Sequence, residues 1–200
     1  MNFFKNNIKL EKNHIKGKMK KQTESKMILK IADASQINQI LALYKKVIEI
    51  VKKTSPFSLG WNIDTYPSLK WITESVSKKE MFVFCDEENI VGACSVNYSV
   101  HEGFKLVDWK VKEPENKISS IHAFCVNPDF WRTGASIAFL KEVIDYCRKN
   151  GDIANHLDVF DTNERAIKLY KKAGFEQREI REMNYESCGI RKSMMMEFVF

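Results

Sequence analysis

Apolar and polar residues change their spacing several times along this chain, and each change marks an element. Residues 27–32, MILKIA, alternate and predict a short strand. Over 33–53, Ile37, Ile40, Leu41, Tyr44, Val47, Ile48 and Val51 recur every three to four positions, the stripe of an amphipathic helix. Asp33, with Gln36 three positions on, has the pairing of a capping box. The period is lost in TSPFSLGWNIDTYP, 54–67, which reads as a loop, and Pro67 is placed to open a second helix through 68–77. MFVFC (81–85) and IVGACSVNY (90–98), around the turn DEEN, predict a hairpin. Residues 101–116 are charged and irregular apart from KLVDW.

Strand and helix then alternate. ISSIHAFCV (118–126) predicts a strand, 134–149 a helix, ANHLDVF (154–160) a strand and 163–172 a helix. FEQREI (175–180) and MMMEFVF (194–200) close the chain as strands. Gly151 and Gly174 each fall just past a helix, where a left-handed cap is favoured. With no repeat and no internal linker, the pattern predicts a single mixed α/β (α+β) domain over 27–200.

Composition changes this picture mainly at the N-terminus. The chain of 200 residues carries a net charge of +6, but residues 1–30 hold nine Lys and two Glu, so the remainder sums to 6 − 7 = −1. Residues 1–26 are Lys- and Asn-rich and read as a basic, disordered extension. A nearly neutral body argues against nucleic acid as the partner, although a nucleic-acid-associated protein using the Lys-rich tail is a rival reading. No run of about 18 apolar residues suggests a membrane span. The cysteines are odd in number (5) and lack a C-x-x-C pair, so they predict reduced core thiols in a cytoplasmic protein and no metal site.

One connection invites chemistry. VNPDFWRTGAS, 126–136, joins a strand directly to a helix, and the first amides of such a helix are unpaired and aligned. With the helix dipole they favour an anion. Gly134, Ala135 and Ser136 keep that turn small. A glycine at a strand–helix turn is also an ordinary structural feature, so the turn alone does not name a ligand.

Farther along runs LDVFDTNERAIKLYKKAGFE, 157–176. Together the two segments resemble the GCN5-related N-acetyltransferase (GNAT) superfamily. Its acetyl-CoA signature is V-x-P, then Q/R-x-x-G-x-G/A, and later N-x-x-A-x-x-L-Y-x-K-x-G-F. Val126 and Pro128 match the first part, and residues 131–136 stand in the second. Asn163, Ala166, Leu169, Tyr170, Lys172, Gly174 and Phe175 fill the third at every spacing. Two positions depart: Trp131 stands where Gln or Arg is usual, and Ser136 where a second Gly or Ala is usual.

The resemblance covers about 28–200 and implies a central mixed, twisted sheet, flanked by helices and splayed open between SIHAFCV and ANHLDVF. It implies acetyl-CoA as the acetyl donor, with the pantetheine arm in the split against backbone groups of Phe124, Cys125 and Val126. Arg132, Thr133, Gly134, Ala135, Ser136 and Ile137 would then cradle the pyrophosphate, and Asn163, Tyr170 and Lys172 would touch the cofactor. The implied reaction is direct attack by a neutral amine, with a backbone N–H polarising the thioester carbonyl.

Tyr170 matches the family tyrosine beside the sulfur, where a phenol can act as general acid, or it simply packs on its helix. Asn163 is a cofactor contact, a helix cap, or both. The general base is open between His122, Asp158 and water. Cys125 has no His/Asp spacing that would make it a nucleophile. Trp61, Tyr66, Trp71 and NYESCGI (184–190) are candidates for the acceptor pocket. The expected protein is a cytoplasmic, acetyl-CoA-dependent N-acetyltransferase of a small-molecule amine, with a homodimer left open. Acetylation of a protein N-terminus or lysine, and a CoA-binding module without catalysis, are the alternatives.

Overall fold

In the computed structural model, which describes residues 27–99 and 102–200, the alternating segments become seven strands. These are β1 (Ile28–Ile31), β2 (Met81–Asp86), β3 (Asn89–Asn97), β4 (Ile118–Val126), β5 (Ala154–Phe160), β6 (Glu176–Tyr185) and β7 (Gly189–Val199). They form one sheet in the order β1-β2-β3-β4-β5-β7-β6. All neighbours run antiparallel except β4 and β5. That parallel pair needs a crossover, which α3 (Ala135–Lys149) provides. The extension expected over 1–26 lies outside the described residues.

The parallel pair holds only at its start. Ile118, Ser119 and Ser120 pair with Ala154, Asn155 and His156, yet β4 continues to Val126 and β5 to Phe160. Beyond Ser120 and His156 the two strands part, and this is the expected split.

Strand alternation sends side chains to two different cores. On one face α1 (Ile37–Thr54) and α2 (Leu69–Ser77) bury Ile40, Leu43, Tyr44, Val47 and Ile72 against Val83, Ala93 and Cys125. On the other, α3 and α4 (Glu164–Ala173) bury Phe139, Leu140, Val143, Ile167 and Tyr170 against Phe84, Cys94, Leu157, Met194 and Met196. A third cluster joins Phe104, Val107 and Trp109 to Met183 and Met195. Since Met195 points opposite to Met194 and Met196, segment 102–117 covers the α1–α2 side of the sheet's second half. Glu197 holds it there, accepting from the amides of Lys110 (3.0 Å) and Val111 (2.9 Å).

Three local expectations need adjusting. The second helix opens at Leu69, not at Pro67, because the Ser68 hydroxyl accepts from the Trp71 amide and provides a cap that proline cannot. The Asp33–Gln36 capping box closes a 3₁₀ turn, Ala34–Gln36, that leads into α1. β6 and β7 are longer than their apolar runs. β6 is an edge strand with mostly exposed or half-buried residues, so its polar sequence shows no hydrophobic alternation. Gly151 and Gly174 are left-handed as expected, with φ of 89° and 107°. Cys85, Cys94, Cys125 and Cys147 are free, buried thiols. Among the described residues no helix is long and apolar enough to cross a membrane.

Candidate active site

The site begins with a defect in β4. Ala93 pairs with Cys125 and Ser95 with His122, so Cys94 alone opposes two residues, Ala123 and Phe124. This is a β-bulge, and Ala123 takes a φ of 47°, a left-handed conformation that costs a non-glycine residue energy. The Tyr44 hydroxyl, from α1, donates to the Ala123 carbonyl at 3.0 Å and holds it. Ile121 joins the α3–α4 core whereas Ala123, two positions on, joins the α1–α2 core. In a regular strand both would share a face. The bulge therefore re-aims the strand where it leaves β5.

Beyond Val126 the chain makes a 3₁₀ turn, Pro128–Phe130, and enters α3 through two left-handed residues, Arg132 (φ 66°) and Gly134 (φ 94°). Gly134 is the N-cap and has no side chain of its own to cap the helix. The Ala135 amide donates to Thr133 Oγ1 at 3.3 Å, which leaves the Ser136 and Ile137 amides at the open end. A Cβ built on Gly134 meets no atom of the described residues within 4 Å, so among them the turn faces open space rather than packed protein. Uncapped amides, a helix dipole and room in front of them suit a diphosphate. The residues present thus fit the cofactor that the sequence implies.

A cavity of about 360 Å³ opens in the split. His122 and Phe124 come to it from β4, and Asp158 and Phe160 from β5. Asn163 and Tyr170 reach it from α4, Trp61 and Tyr66 from the α1–α2 loop, and Tyr185 and Glu186 from the β6–β7 hairpin. Tyr170 is buried, and its ring lies against Phe124 and Phe175. Burial, and then the nearby Asp158 charge, push its phenol well above the ordinary range, so it keeps its proton at neutral pH. Its hydroxyl has no hydrogen-bond partner among the described residues. Asp158 Oδ2 accepts from the Tyr185 hydroxyl at 2.5 Å, and the same hydroxyl lies 2.5 Å from Ser193 Oγ. Burial and the Asp158 charge raise the Tyr185 phenol too, which keeps it a donor.

The structure therefore brings His122, Asp158, Asn163 and Tyr170 to one cavity. Asn163 is the α4 cap, its Oδ1 accepting from the Ala166 amide at 3.2 Å, and it also lines the cavity. Cys125 turns its side chain into the α1–α2 core, where burial pushes the thiol up to about 12, unsuited to nucleophilic attack. Lys172 lies exposed in the last turn of α4, outside the cavity lining. Trp71 packs edge-on against Tyr66, with centroids 4.9 Å apart, and does not line the cavity itself. Gly60 and Phe160 were not legible as site residues; nothing in a loop glycine or a strand-end phenylalanine announces a shared wall. Among the described residues no group of three or more His, Cys, Asp or Glu could hold a metal ion.

Comparison with known proteins agrees with this geometry. A family model described as the Acetyltransferase (GNAT) family matches residues 44–175. The uncharacterized N-acetyltransferase MJ1207 of Methanocaldococcus jannaschii is 34% identical over 89 residues, which cover 44% of this chain and 39% of that protein. The [ribosomal protein bS18]-alanine N-acetyltransferase of Escherichia coli K12 is 26% identical over 101 residues, 50% of this chain and 68% of its own length. Thus the match to the archaeal relative spans well under half of that protein. Among solved structures, the putative acetyltransferase YncA of Salmonella typhimurium with acetyl-CoA superposes with a TM-score of 0.62 at 16% identity, covering 88% of this chain and 94% of that one. Arabidopsis thaliana NAA60 in complex with acetyl-CoA gives a TM-score of 0.59 at 14% identity, covering 88% and 100%. The family match over 44–175 takes in both strands of the split, the turn before α3 and the whole of α4, and on that ground the chain belongs to the acetyltransferase (GNAT) family.

Proposed function

We propose that this protein transfers the acetyl group of acetyl-CoA directly to the nitrogen of a small primary amine. The observation that carries the choice of acceptor is the contact at Gly60. A methyl group added there would stand 2.5 Å from the Phe160 ring and 2.8 Å from Cys188 Sγ. The α1–α2 loop and the β6–β7 hairpin therefore meet, with no open groove between them at that point for an extended peptide. A cavity of about 360 Å³ is at the small end for ligand sites and suits a compact acceptor. Asp158 and Glu186, both at its wall, favour an amine that arrives as a cation.

Bound acetyl-CoA supplies a thioester, which is the electrophile. The turn 132–137 would hold the phosphates, and the edge of β4 at Phe124, Cys125 and Val126, which lacks a β5 partner, would offer backbone groups to the pantetheine arm and the carbonyl. Asp158, oriented by Tyr185, or His122 takes the proton from the acceptor nitrogen. Tyr170 keeps its phenolic proton at neutral pH and holds it ready at Oη for a departing thiolate. Two proton-handling groups around one cavity favour catalysis over a module that only binds CoA.

A second reading is acetylation of a protein N-terminus, favoured by the relative named for the alanine of ribosomal protein bS18. Only the terminal residue would then enter the cavity. The test is CoA release from acetyl-CoA with a panel of small amines and with peptides that begin with alanine. Higher kcat/KM for a small amine supports the proposal, and turnover of the peptides alone transfers it to the second reading. CoA binding without turnover on any amine would leave only the binding module.

A further inference from the structure

Trp131 occupies the position where the GNAT signature carries Gln or Arg, so the turn before α3 lacks a polar side chain there. A guanidinium reaches the place from elsewhere. Arg165, in the first turn of α4, lies over the Trp131 ring with its Cζ 4.4 Å from the centroid. Trp131 is itself held, its Nε1 donating to the Val126 carbonyl at 2.9 Å. The contact crosses the mouth of the split, because Trp131 follows the end of β4 and Arg165 follows the end of β5.

We propose that Arg165 is a cofactor-binding residue that delivers to the diphosphate of CoA the polar group missing from position 131, with Trp131 as the platform that orients it. The inference rests on the reading that CoA occupies the split. Stacking uses the face of a guanidinium and leaves the N–H donors at its edge free for a bidentate anion. Arg165 makes no hydrogen bond or ion pair among the described residues, so its donors are not committed. Two carboxylates on the flanking segments are engaged with other cations. Glu164 pairs with Lys168 at 3.0 Å, and Asp129 with Lys46 at 2.6 Å. Arg165, over Trp131, and Arg132 thus put two cations on the segment that leads to the open amides of Ser136 and Ile137. A lysine at position 165 would keep the charge but lose both the planar stack and the two-pronged donor set.

The experiment is calorimetric binding of CoA and of dephospho-CoA to the full chain and to Arg165→Ala, Arg165→Lys and Trp131→Leu, with melting temperatures as the folding control. Arg165→Ala should raise the Kd for both ligands by the same factor, roughly tenfold or more for a charge-assisted bidentate contact. Arg165→Lys should fall between it and the wild type. Trp131→Leu should weaken both ligands in the same way, since the cation remains but loses its platform. Arg165 is exposed, so its variants should melt as the wild type does. Wild-type affinity of Arg165→Ala for both ligands overturns the proposal. So does a loss for CoA that spares dephospho-CoA, which would assign the cation to the 3′-phosphate instead. A wild-type chain that fails to bind CoA would overturn the acetyl-CoA reading as a whole, a result distinct from either.

Discussion

Gly60 offers a sharp test of how the acceptor side is closed. Its φ of +68° lies in the left-handed region, where an alanine costs roughly 1–2 kcal/mol. The new methyl would also press on Phe160 at 2.5 Å and on Cys188 Sγ at 2.8 Å, and overpacking of that kind costs about 1–3 kcal/mol. Gly60→Ala should therefore cost about 2–5 kcal/mol if the loop keeps its place. At about 2–4 °C per kcal/mol for a chain of this size, the melting temperature should fall by at least about 4 °C. If the loop yields instead, part of that cost is relieved but the roof lifts, and KM for the acceptor rises. The Kd for CoA should hold in either case, because the pyrophosphate turn belongs to the other side of the split. Thermal melting, calorimetry with CoA and steady-state kinetics with a working amine read the three quantities. An unchanged melting temperature together with an unchanged acceptor KM would refute the idea that loop and hairpin meet over the cavity.

Tyr170→Phe keeps the ring packing and removes a hydroxyl that has no hydrogen-bond partner among the described residues, so the melting temperature should hold while kcat and kcat/KM fall together by roughly 10²-fold or more. Wild-type kcat would show that Tyr170 only packs. Burial alone would raise the Glu197 carboxyl, but the His156 ring and the amides of Val111 and Lys110 outweigh it and hold the group below its ordinary value. A carboxyl depressed in the folded state stabilises fully above its unfolded pKa, about 4.3, and that stabilisation is lost as pH falls through the folded value. Glu197→Gln should lower the melting temperature at neutral pH and flatten its decline in acid. A decline as steep as the wild type's would contradict the assignment.

What the chain declares by itself is local. The stripe from Ile37 to Val51, the cap at Asn163, the left-handed glycine at 174 and the run from Asn163 to Phe175 depend on neighbours within a turn or two, and these features are legible as helices and as a family signature. The small residues at 134–136 likewise announce a turn that could take an anion. The sheet's second half is less legible in the sequence. β6 is an edge strand whose polar residues form a strand because β7 pairs with them, not because an apolar face demands it.

Tertiary structure alone decided how the site is assembled. Ala123 carries no sign of a bulge in its sequence; its positive φ is held by the hydroxyl of Tyr44, 79 positions earlier. Asp158 gained its orienting partner only when β6 and the hairpin brought Tyr185 beside β5. Gly60, Phe160 and Cys188 lie far apart along the chain and become one wall only where a loop, a strand end and a hairpin converge. Trp131 and Arg165 belong to different elements and meet because β4 and β5 part beneath them. Periodicity records which face of an element is buried, but contacts across elements depend on distances that the fold sets. A sequence pattern can therefore name the helices, the strands and the cofactor turn, while the acceptor wall waits for the packed chain.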